Sequence, residues 1–80
     1  MDLKGHNMKI KIKVHGHQYF MEYIGEVLKW TETVEKFEEL GKITKYLQVP
    51  AVIIKEDDTG KILTIPISTQ YRWTEINEIK

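Results

Sequence analysis

Eighty residues carry twelve basic and twelve acidic side chains and no cysteine. Disulfides and thiolate zinc sites are therefore excluded, and a chain this short buries only about 60–65% of its unfolded surface, which leaves a thin core. The cancelled charge also argues against a protein devoted to non-specific duplex binding, which needs a strongly basic domain.

Residues 1–7 are polar, contain Gly5, and read as a flexible N-terminal tail ahead of a single small β-rich domain over 8–80. The first residues have no apolar run of signal-peptide length. No segment approaches the roughly 20 apolar residues that span a bilayer as a helix. A cytoplasmic protein is the expectation.

From Met8 the period is two. Met8, Ile10, Ile12 and Val14 share one side, and Lys9, Lys11, Lys13 and His15 the other, as in a half-buried strand. A two-residue turn with glycine first is expected at Gly16-His17, before the β-rich run QYFMEYIGEVLKW. That turn would set Val14 opposite Tyr19, Ile12 opposite Met21, Ile10 opposite Tyr23 and Lys11 opposite Glu22, satisfying both faces. Gly25 inside the second run suggests a bulge or a sharp bend.

After Trp30 the apolar residues Val34, Phe37, Leu40, Ile43 and Leu47 are three to four apart, a helical stripe. Thr31 or Thr33 can cap its start, glutamates fill the early turns, and Lys42 and Lys45 lie late. A short helix is expected from about Glu32 to Gly41, ended by Gly41 or at the latest by Pro50. For KITKYLQV, continuation of the helix and a strand both remain open.

AVIIKE and KILTIPI flank DDTG and form a hairpin with Gly60 at its left-handed position. Pro66 marks an edge or a strand end. A short turn over Ser68–Gln70 leads to a last strand, with Tyr71, Trp73, Glu75 and Asn77 on one side and Arg72, Thr74, Ile76 and Glu78 on the other.

The fold expected is mainly β (α+β), in the order β-β-short α-β-β-β, as an antiparallel, strongly curled sheet or a small barrel. The stretch VIIKEDDTGKILTIPISTQYRWTEI resembles the closing half of SH3-like barrels: a hairpin, a proline-containing strand end, one short turn and a final strand. The resemblance covers about a third of the chain and implies a shape, with no functional residue attached.

Chemistry finds little foothold. His15 and His17 diverge if they flank a turn, and Lys9, Lys11 and Lys13 repel a divalent cation, so no metal site is expected. EDDTG lacks the dozen-residue spread of a calcium loop. Glu22 and Glu26 on one strand stand about 13 Å apart, too far for the paired carboxylates of a glycosidase. No nucleophile elbow and no phosphate-binding glycine pattern is present. The expectation is a non-enzymatic binding or assembly module without cofactor or small-molecule substrate, acting on a protein partner or on itself. The alternative is a small barrel that binds single-stranded nucleic acid through Lys9, Lys11, Lys13, Arg72 and Trp73, combining cations with a stacking surface.

Overall fold

Alternating lysine and aliphatic residues build the first strand of the computed structural model, which describes residues 8–68 and 72–80. Five strands follow one another: β1 (Lys9–Gly16), β2 (Phe20–Glu39), β3 (Lys42–Glu56), β4 (Ile62–Pro66) and β5 (Arg72–Ile79). They form one antiparallel sheet in the order β4-β3-β2-β1-β5. Among the described residues there is no helix. The expected tail over 1–7, Tyr71, and part of the turn over Ser68–Gln70 lie outside the described residues.

The core is the inward row of β1 and what meets it. Ile10, Ile12 and Val14 pack with Val27, Val52, Ile54 and Ile65, and Tyr23, Leu63 and Ile76 close over them. These residues come from all five strands, so the sheet curls around its own concave side. Thr74 at the start of β5 donates its hydroxyl to the Pro66 carbonyl at the end of β4, 3.3 Å away. No ladder joins those two strands. The sheet therefore stays open, and the SH3-like barrel expected from the closing-half resemblance is not formed. The mainly β, antiparallel character of the chain holds.

The first hairpin keeps its expected faces but slides by two residues. Val14 stands opposite Met21, Ile12 opposite Tyr23 and Ile10 opposite Gly25. Gly16 is still paired, its N–H donating to the Tyr19 carbonyl at 2.9 Å, and His17 and Gln18 make the reversal. A slip of two preserves the inside and outside of every side chain, so the alternation alone could not distinguish these registers. Gly16 favours the observed one, and Gly25 matters to the next strand. A Cβ on Gly16 would lie 2.2 Å from the Tyr19 ring, which covers that glycine, and a Cβ on Gly25 would lie 2.5 Å from the Lys55 carbonyl oxygen. Gly16 thus accommodates an aromatic ring, and Gly25 lets β3 approach β2. The irregularity follows shortly after, as a register shift between Val27 and Lys29.

The expected helix over Glu32–Gly41 is instead the far half of β2, and KITKYLQV is strand, part of β3. Leu40 and Gly41 both have positive φ, 52° and 79°, and join Glu39 to Lys42 as a two-residue primed turn, the tightest hairpin link. Pro50 does not end this element. Its carbonyl accepts from Ile67 at 2.8 Å, and in an antiparallel strand a residue's nitrogen points the same way as its carbonyl. Its missing donor therefore faces the end of β4, and the β2–β3 ladder continues past it. The second hairpin is as expected: Glu56 donates to Lys61 at 2.8 Å, and Gly60 sits at φ 73°.

Beyond the body, β2 and β3 project as a two-stranded ribbon. Along β2 the burial alternates, with Trp30, Glu32, Val34 and Lys36 exposed and Thr31, Thr33, Glu35 and Phe37 half-buried. Arg72 reaches Glu35 on the half-buried side, Nη2 to Oε1 3.7 Å, and Lys45 lies 5.1 Å from the Phe37 ring centre.

Candidate functional site

β1 is the central strand of a three-stranded face, with β2 on one side and β5 on the other. Its outward row is Lys9, Lys11, Lys13 and His15, the row that alternation placed in solvent. The register now supplies the neighbours. Lys9 stands opposite Glu26 on β2, and Lys13 is flanked by Glu22 on β2 and Glu75 on β5. Lys9 Nζ is 2.9 Å from Asp57 of the β3–β4 turn, and Lys11 Nζ is 3.7 Å from Glu22. The basic ridge is therefore a mixed-charge surface. Each pair is solvent-exposed and contributes about 0–1 kcal/mol, but together they remove the uniform positive field that would gather phosphates.

At the end of this row the surface changes character. His15 lies flat against Trp73, centroids 4.0 Å apart and planes 10° from parallel, and meets Phe20 at 5.1 Å and 57°. These three are direct cross-strand neighbours, since Phe20 and Trp73 both stand opposite His15. Such pairs are the stabilising unit of a sheet face. Phe20 and Trp73 are each 54% exposed, so the cluster supports the sheet and still presents two open aromatic faces. His15 Nε2 is 3.5 Å from Glu75 Oε1 and has no hydrogen-bond partner among the described residues.

Of the five residues proposed from sequence for nucleic acid, the structure gathers four. Lys9, Lys11, Lys13 and Trp73 share the outer face because β5 pairs with β1. Arg72 does not join them. It pairs opposite Gly16, one residue out of phase with Trp73, and turns to Glu35. Sequence reasoning missed His15 and Phe20 as partners of Trp73. The phase of Phe20, outward with Glu22, and of Trp73, outward with Glu75, was readable; that these strands flank β1 was not.

His17, the other histidine of the initial motif, is exposed in the β1–β2 turn. Among the described residues no three His, Cys, Asp or Glu side chains group as a metal site. On the opposite side a half-open cleft of about 130 Å³ is lined by residues including Val14, Tyr23, Ile65 and Arg72. Small-molecule sites run to roughly 300–1,000 Å³, so this cleft is undersized for one. No protein-family model matches the chain, and no curated protein or solved structure is significantly similar to it.

Proposed function

We propose that the protein is a non-enzymatic protein-binding module that uses its outer β2–β1–β5 face, with Phe20 and Trp73 as anchors. One observation carries this reading: the lysines of that face are matched by carboxylates, while the two aromatic side chains stand half exposed beside them. Exposed aromatics within a balanced polar surround are the composition of a protein interface, where Trp and Tyr-like groups supply most of the energy. Beyond Thr74, whose N–H donates to the Ser68 hydroxyl, the outer edge of β5 pairs with no strand among the described residues and offers an extended peptide a backbone ladder.

A second reading has one specific observation in its favour. Trp73 lies on the lysine face, so a base could stack there while the backbone tracks Lys11 and Lys13. Two measurements separate the readings. A random peptide library displayed against the protein is expected to yield peptides with apolar or aromatic anchors, and Trp73→Ser is expected to abolish their binding. Mixed single-stranded oligonucleotides at low salt are expected not to shift in a gel. Oligonucleotide binding that falls steeply with salt, with no Trp73-dependent peptide recovered, would replace the first reading by the second.

A further inference from the structure

The ribbon of β2 and β3 presents one exposed side on which Val34 stands opposite Gln48, Glu32 opposite Pro50, and Lys36 opposite Tyr46. All six residues on this side are exposed, Val34 at 58% and Tyr46 at 62%. A two-stranded ribbon without a third strand is marginal in water on its own, so this side gains stability from a cover. The pattern specifies which cover fits.

Glu32 and Lys36 lie two residues either side of Val34 on one strand, each about 7 Å from it in opposite directions. A two-fold axis through Val34, perpendicular to the strands and lying between two stacked ribbons, exchanges these positions. It places Glu32 over Lys36 of a second copy and Lys36 over its Glu32. The same operation sets Tyr46 over the other copy's Pro50, and Val34 over Val34. Neither Glu32 nor Lys36 takes part in the intramolecular ion pairs found among the described residues. The axis also sends the two bodies to opposite ends, so that only the ribbons overlap. A surface that is its own complement under a two-fold rotation is the requirement for an isologous dimer. A foreign partner would need the opposite charge order by coincidence.

We propose that two copies of this chain dock ribbon on ribbon, antiparallel, about a two-fold axis at Val34, with Glu32 and Lys36 forming reciprocal ion pairs between copies. This extends the protein-binding reading to a second surface and does not depend on the outer face.

Sedimentation velocity of the full chain between about 1 µM and 1 mM tests it. The natural sequence is expected to shift from monomer to dimer across that range. Glu32→Lys and Lys36→Glu each set like charges over one another, and each is expected to weaken the dimer by about tenfold or more. The double reversal Glu32→Lys/Lys36→Glu restores the pairing and is expected to return to within about threefold of the natural affinity. Both side chains are exposed, and circular dichroism verifies that every variant keeps its strands. A monomer at all concentrations overturns the proposal. So does a dimer indifferent to the single reversals, or one that the double reversal fails to rescue. Peptide capture through Trp73, measured on the same samples, reports separately on the outer face.

Discussion

Lys11 and Ile12 are consecutive in the chain and opposite in role. Ile12 is fully buried among residues of the core, whereas the Lys11 side chain is 39% exposed and meets Glu22 only at 3.7 Å. Removing buried methylenes forfeits their transfer energy and leaves a cavity, so Ile12→Ala is expected to cost about 2–5 kcal/mol. Lys11→Glu loses one solvated contact and is expected to cost under about 1 kcal/mol. Denaturant melts measure both, and a larger loss at Lys11 would invert the two faces of β1. The assignment of sides was legible in the sequence because lysine and isoleucine alternate without a break. The partners of those side chains were not, since a register slipped by two leaves the alternation unchanged. The observed register fits Gly16 under the Tyr19 ring at the turn, a contact that alternation does not encode.

At the scale of elements, the ribbon shows where periodicity misleads. Val34 and Phe37 are three apart and look like one helical face, yet in the ribbon they lie on opposite sides, one 58% exposed and the other half-buried. Each side of a two-stranded arm is partly wet, so apolar residues need not alternate, and their spacing can imitate a helix by accident. The glutamates read as the start of a helix dipole are spread over both sides of the ribbon instead: Glu32 stands opposite Pro50, Glu35 meets Arg72, and only Glu39 stands opposite a lysine, Lys42. Thr31, Thr33 and Val34 are β-branched and favour strand. Gly41 was the decisive residue, ambiguous between a helix end and a turn. The turn is imperfectly matched to its sequence, because Leu40 holds a φ of 52° and is wholly exposed. An L-residue other than Asn or Asp pays for that conformation with a steric clash. Leu40→Asn gives the Asn-Gly pair this turn prefers, and thermal melts are expected to show a gain of about 1 kcal/mol. A loss would mean that the Leu40 side chain has a contact that the isolated chain does not show.

For the whole molecule, the division into body and arm sets how stability is distributed. The radius of gyration is 14.3 Å with extents of 50 × 24 × 20 Å, against about 12 Å for a globular chain of this length, and the ribbon accounts for the excess. β1 is laddered on both sides and contributes Ile10 and Ile12, both at 0% exposure. The outer ribbon is laddered only to itself. Opening free energies run from near zero in such segments to the global value in the core. Hydrogen exchange on a dilute sample is therefore expected to rank the amides of Ile10–Val14 slowest and those between Glu35 and Leu47 fastest, with the ribbon base between them. On concentrating the sample, the ribbon amides alone are expected to slow, because a docked second copy suppresses the local opening while leaving the body's own equilibrium untouched. Equal protection of arm and body at high dilution would show that the ribbon is stable unaided. Its exposed Val34 and Tyr46 would then give no energetic reason for a partner.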